Sequence, residues 1–357
     1  MLTPIDKETR RKVWWCVYGL DRMLAVALGR PLGIDDADCD VELPLDIDDV
    51  ALPTYFASLS HGGKNGPATT VATAEVPITP SLMKGFNALT CLFKIAGQVL
   101  RSVYALDKCK ENLDEDKMTE LQASADRLDK LLTEWCEKLP APFKSNPQTS
   151  QQVSLGAILC SCEFSLSLGL PLAHAPTAIV TAGYYAVTVT LHRNFIPTSL
   201  GSRQVPRSSS VAKAVTASRS CIFLAQSIKD VIPSSHWLAF FSQYLFSSAV
   251  IILLCIMHAT DQNAVTTAMS EVNTAIECLG SLEPSWPGAK RCREILKELA
   301  DMSLSRLQDG VSSPAPAADR FVTDGTTIRS PGRHLGHHIA PSPGTSAGAS
   351  QLHSPGK

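Results

Sequence analysis

The chain has 357 residues, 45% of them hydrophobic and 18% charged, with 32 Lys and Arg against 34 Asp and Glu and a formal net charge of −2. That length can bury a substantial core in one to three domains, and so little charge places much of the chain in an interior. The balance excludes a concentrated basic surface for nucleic acid: the basic run Arg10 to Lys12 is short and falls at a predicted helix start. Residues 1–12 are polar and charged rather than a secretory signal, and the 11 cysteines contain no Cys-x-x-Cys pair, so they read as reduced, mainly buried thiols.

In chain order, Thr3 and Asp6 are placed for a capping box with Pro4 at the first helical position, and Val13, Val17, Leu20, Leu24 and Leu28 share one stripe at helical spacing. This predicts a helix from about residue 4 to Gly29, ended by a left-handed glycine cap with Pro31 just beyond, its Val/Leu stripe turned to the core and widened by Trp14 and Tyr18. Asp21, Arg22 and Arg30 are the charges nearest that face. They read as a hydrogen-bonded network at the helix end, with Asp21 and Arg30 bonded to each other or to helix-end backbone groups.

The acidic run Asp35-Asp36-Ala37-Asp38-Cys39-Asp40 copies the first three ligand positions of a calcium loop at Asp36, Asp38 and Asp40. However, Val41 stands where the turn needs glycine and Ile47 where the bidentate glutamate belongs. An extended, solvated turn leading to Pro44 is expected instead. Residues 45–80, with Pro53, Pro67, Pro77, Pro80 and the stretch His61 to Gly66, read as a long connection.

Helical spacing then returns. A helix opened by Ser81 carries Leu82, Phe86, Leu89, Phe93, Ala96, Leu100 and Val103, and a second carries Met118, Leu121, Ala125, Leu128, Leu132, Trp135 and Leu139 up to Pro140. Val211, Val215, Ser218, Ile222, Ala225 and Ile228 line another. Residues 237–260 hold no Asp, Glu, Lys or Arg and could span a bilayer by length. Ser242, Gln243, Ser247 and Ser248 and the lack of basic flanks favour a central buried helix. Val265, Met269, Val272, Ile276 and Leu279 mark the next, and Cys292, Ile295, Leu296, Leu299 and Met302 the last. From residue 310 to 357 Ser, Pro, Gly, Ala and Thr dominate, which predicts a disordered tail.

Taken in order, Arg10, Arg11, Trp14, Trp15, Asp21, Arg22, Gly29, Arg30, Pro31, Asp38, Cys39, Asp40 and Pro44 resemble the signature of the fungal-specific transcription factor domain, in particular the version in xylanolytic activators. Tyr184-Tyr185 followed by Leu191-His192-Arg193-Asn194-Phe195-Ile196-Pro197 is similar to a helix-ending pattern of the same domain, with Asn194 where proline is usual; the Trp286-Pro287 entry to the last helix resembles its end. The resemblance implies an all-α, bundle-like regulatory domain over residues 1–309, representing its C-terminal part, that acts on transcription in the nucleus through intramolecular or co-regulator contacts or a small effector. In that family DNA is read by a six-cysteine zinc cluster. No such cluster stands in this chain, so zinc and DNA binding are expected only of a module it does not contain, and no cofactor is expected here. The signature residues are then structural, with His192 and Arg193 complementing a helix dipole in a last turn.

Enzyme motifs fail one by one. There is no Gly-x-Ser-x-Gly elbow, Gly62-Gly63-Lys64 lacks the rest of a phosphate loop, and Cys39 occupies the last acidic place of an Asp-Asp-x-x-Asp site. The alternative reading is a helical enzyme whose active-site residues are distant in sequence; a third is a membrane-associated protein using residues 237–260.

Overall fold

A computed structural model describes residues 2–61, 82–104, 115–140, 143, 175–196, 208–232, 234–257 and 261–312, and all regular structure among them is helical. The expectations for residues 62–81 and for the tail lie outside the described residues, the latter save for its first three positions; by its contacts the chain divides into units 1–312 and 313–357.

Helix α1, Pro4–Leu28, begins with the capping box: Asp6 N–H donates to the Thr3 hydroxyl at 3.1 Å and Thr3 N–H to the Asp6 carboxylate at 3.1 Å. It ends at Gly29, whose φ of 64° is the left-handed cap and whose N–H reaches the Ala25 carbonyl at 3.0 Å. The helix is where the spacing predicts it, but its orientation is reversed. Val13, Val17, Leu20, Leu24 and Leu28 are 59, 52, 48, 37 and 52% exposed, whereas Glu8, Trp15, Tyr18, Arg22, Ala25 and Val26 are buried. Two aromatic rings of 150–250 Å² each outweigh a row of valines and leucines, and the charges beside them are paired on the inner side.

After α1 the chain makes a short 3-10 turn at Asp36–Asp38 and then α2, Leu52–His61. The helix α2 corrects the expectation of a continuous connection over 45–80. Pro53, read as a breaker, sits in the first turn, where its missing N–H has no helical partner to lose.

The remaining helices are α3 (Leu82–Val103), α4 (Glu115–Lys138), α5 (Ala175–His192, continued by a 3-10 turn at Arg193–Phe195), α6 (Ser208–Val231), α7 (Trp237–Ile256), α8 (Gln262–Leu282) and α9 (Gly288–Ser312). Helices α5, α6, α7 and α8 pack each on the next, α9 closes against α7 and α8, and α3 lies between α4, α5 and α1. Most stripes read from spacing point inward: Leu121, Ala125, Leu128, Leu132 and Trp135 on α4, Ser218, Ile222, Ala225 and Ile228 on α6, and Val265, Val272, Ile276 and Leu279 on α8 are buried. Leu82 and Met302 are exceptions, 58 and 52% exposed.

Among the described residues α7 alone is long and apolar enough to cross a membrane, and more than half of it is buried within the helical body. Phe241, Leu245, Ile252 and Leu253 are in the main core, and α1 also leans on this helix.

Candidate functional site

The residues of the first 45 positions converge on one polar network between α1, the turn after it and α3. At its centre is Arg22, whose side chain is 0% exposed. Its guanidinium donates to the Ile34 carbonyl at 3.1 and 3.2 Å, to Asp36 Oδ1 at 3.1 Å and to Asp21, and stacks 4.1 Å above the Tyr18 ring. Tyr18 donates its hydroxyl to the same Asp36 oxygen at 2.5 Å. Burial, and then this bond to a carboxylate, push the Tyr18 phenol well above its ordinary range, so the hydroxyl stays a donor.

Arg101 of α3 approaches from the other side, donating to Asp35 at 2.9 Å, to Asp36 at 3.4 Å and to the Ile34 carbonyl at 2.9 Å. The Ala37 N–H, and then Arg101, hold the Asp35 carboxyl below the usual carboxylate range. Two arginines therefore grip one short backbone segment through the same carbonyl and carboxylate. The segment is fixed at its start as well, where Gly33 N–H donates to Asp21 at 2.8 Å.

This close approach requires Gly97. A β-carbon there would stand 2.9 Å from Arg22 Nε and 3.2 Å from Asp36, nearer than side-chain carbons tolerate. A second buried charge, Glu8, ties the other end of α1 to the strand of chain before α2: it accepts from Leu45 N–H at 2.6 Å and from Arg11 at 3.2 Å. Arg11 also pairs with Glu42 and Lys12 with Asp49, while the Trp15 indole donates to the Glu42 carbonyl at 2.9 Å.

Asp21 and Arg22 are thus brought together, Trp15 packs edge-on against the Tyr18 ring beneath Arg22, and Pro44 is buried, its carbonyl accepting from Asn87. Arg10, Pro31, Asp38 and Asp40 are exposed, Trp14 and Cys39 are half-buried against Trp15, Tyr18 and Phe93, and Gly29 serves as the cap. Arg30 is exposed and pairs with no other described residue, a departure from the expected Asp21–Arg30 contact. Asp21 is already occupied by Gly33 and Arg22. Asp36 corrects the expectation of a fully solvated acidic turn, because Tyr18, Arg22 and Arg101 all reach it.

His192 and Arg193 do more than face a helix end. His192, 2% exposed, places Nε2 3.1 Å from Asp129 of α4, which also pairs with Lys213 of α6. Arg193 donates to the Tyr104 hydroxyl at 2.7 Å, and that hydroxyl donates to the Thr190 carbonyl at 2.6 Å. Spacing could not reveal Asp129 or Tyr104 as partners, since they lie 63 and 89 residues away.

Two clefts flank this region. One, of about 390 Å³, is walled by Asp35, Asp36, Lys94 and Arg101. The other, of about 380 Å³ between α3 and α4, has Cys91, Ile95, Leu131 and Trp135 along its walls and Lys84, Glu134 and Lys138 among its polar lining. Asn87 reaches its edge, donating to Pro44 and Asp46 at 2.7 Å each, with its own buried carbonyl oxygen unpartnered among the described residues. The described cysteines are free, and no group of three His, Cys, Asp or Glu side chains placed to hold a metal occurs among the described residues.

The whole polar network, from Glu8 to Arg101, falls within a match to the family model of the fungal specific transcription factor domain, which covers residues 2–137. Residues 2–137 are similar to that domain. Relatives are similarly named. The chain is 24% identical over 298 residues to an uncharacterized transcriptional regulatory protein of Schizosaccharomyces pombe, covering 83% of the chain and 31% of that protein. It is 32% identical over 142 residues to a putative transcriptional regulatory protein of Saccharomyces cerevisiae, covering 40% of the chain and 16% of the relative. A transcriptional activator protein of Neurospora crassa is 26% identical over 223 residues, 62% of the chain and 20% of the activator. The chain thus spans about a third or less of the length of these relatives. No solved structure matches it.

Within the matched residues, the network fastens the turn after α1 to α3; the helices from α5 onward lie beyond the match and complete the core.

Proposed function

We propose that this chain is the regulatory helical body of a nuclear fungal transcription regulator, acting through protein contacts or a small effector and not by catalysis. The observation that carries the reading is the use to which the family signature is put: Arg22, Asp21, Trp15 and their partners are spent on holding a turn in place. None of the described clusters pairs a nucleophile with a base in an open site. The cleft between α3 and α4, with apolar walls, two lysines in its lining and the unpartnered Asn87 oxygen, supports an effector that is apolar with a hydrogen-bond donor.

Sequence-specific DNA recognition would belong to a zinc-cluster module elsewhere in a longer polypeptide, because this chain offers neither six clustered cysteines nor a basic recognition helix. Fluorescence titration of the chain with duplex DNA at physiological salt should give only weak, salt-sensitive association without site preference. Tight binding to one sequence over scrambled duplexes would refute the reading.

A further inference from the structure

The cleft between α3 and α4 has a direction. Trp135 donates its indole N–H to the Ala88 carbonyl at 2.9 Å and Arg127 donates to the Gln98 side chain at 3.2 Å, so the two helices run antiparallel, with the end of α4 beside the start of α3. In that register Lys84 and Lys138 meet at one end of the cleft, Ile95 and Leu131 stand at the other, and Cys91 and Trp135 lie between them. Along α3 the lining residues Lys84, Ala88, Cys91 and Ile95 form one stripe at helical spacing, so a polar end passes into an apolar groove in a straight line.

The charges at the polar end are not equally committed. Asp46 accepts from the Asn87 amide at 2.7 Å, and Glu134 stands 3.9 Å from Lys138, an exposed pair one turn apart. Lys84 is exposed and pairs with no acidic side chain among the described residues. Each carboxylate therefore has a donor or a cation beside it, while one cation is to spare and the other is held weakly.

We propose, on the reading that this cleft takes an apolar effector, that the effector is a straight-chain carboxylate, its head group between Lys84 and Lys138 and its alkyl chain laid past Cys91 and Trp135 toward Ile95. Length agrees: from Lys84 to Ile95 the helix rises about 16 Å, the reach of a carboxylate of roughly ten carbons. The cleft of about 380 Å³ has room for one such chain. A cationic head would meet two lysines, and a neutral one would leave the Lys84 charge unanswered. Trp135, 8% exposed, stacks at 5.9 Å on Tyr184 of α5, so a chain lying against its open edge also touches the ring pair that joins α4 to α5.

The whole chain should be titrated at neutral pH with decanoate, decanol and decyltrimethylammonium, each below its micelle or solubility limit, and binding followed by calorimetry and tryptophan emission. Decanoate should bind once per chain, roughly tenfold more tightly than decanol, and the ammonium should bind least. Lys84→Met with Lys138→Met keeps both aliphatic stems and removes both charges. The side chains are exposed, so this double variant should melt with the parent, bind decanoate roughly tenfold more weakly and bind decanol unchanged. Equal affinity for decanoate and decanol, or decanoate binding that survives both substitutions, would overturn the carboxylate assignment while decanol binding leaves an apolar effector in place. If none of the three binds, the carboxylate assignment and the effector reading of this cleft both fall.

Discussion

Arg22 is held by three acceptors and an aromatic face. Removing the guanidinium leaves Asp36 and the Ile34 carbonyl to Arg101 and Asp21 to the Gly33 N–H, with the buried inner side of the cluster unfilled. A buried ion pair broken on one side typically costs about 3 kcal/mol or more. Arg22→Ala should therefore show that loss in urea unfolding, and Arg30→Ala, whose side chain lies in solvent, should unfold with the parent. Equal effects would mean that Arg30 has a structural partner after all. The pair also shows where reading residues in order stops being informative. Asp21 and Arg30 are both charged and both near a helix end, and sequence offers no way to see that Gly33 N–H folds back to claim Asp21 first. Arg101, 65 residues beyond Asp36, carries no local sign of belonging to the same cluster.

Helices were legible from spacing to the extent that apolar residues alone decide the buried face. On α4, α6 and α8 they do, and the predicted stripes are the buried ones. On α1 the inner face is Glu8, Trp15, Tyr18, Arg22 and Ala25, two of them charged, and a search for aliphatic periodicity selects the opposite side. The cap residues were legible too, because Thr3, Asp6 and Gly29 act through bonds within four residues. Helix α7 was identified by its lack of charge, and the consequence of its position can be measured. Leu253 is 3% exposed within the main core, so Leu253→Asp would bury an unpaired carboxylate. This variant should lose the cooperative thermal transition and most of its soluble yield; a variant melting near the parent would place Leu253 at a surface.

The matched segment ends at residue 137, at the end of α4, yet the compact unit runs on to Ser312. Helix α3 presents Leu92, Val99 and Val103 to a core completed by α5, and α1 rests partly on α7. A fragment of residues 1–137 should accordingly lack a cooperative melt and show poor amide dispersion in a proton–nitrogen correlation spectrum, while the chain through Ser312 shows both features of a folded protein. A well-dispersed fragment would make the match an independent domain. The contact between α1 and α7 also sets a clock. At about 5–20 residues per second, the ribosome needs roughly ten to forty seconds to pass from the end of α1 to the start of α7. Throughout that interval the side of the nascent helix that leans on α7 is without this support. That contact surface is then open to a chaperone, so the separation of α1 and α7 along the chain sets the length of the vulnerable period.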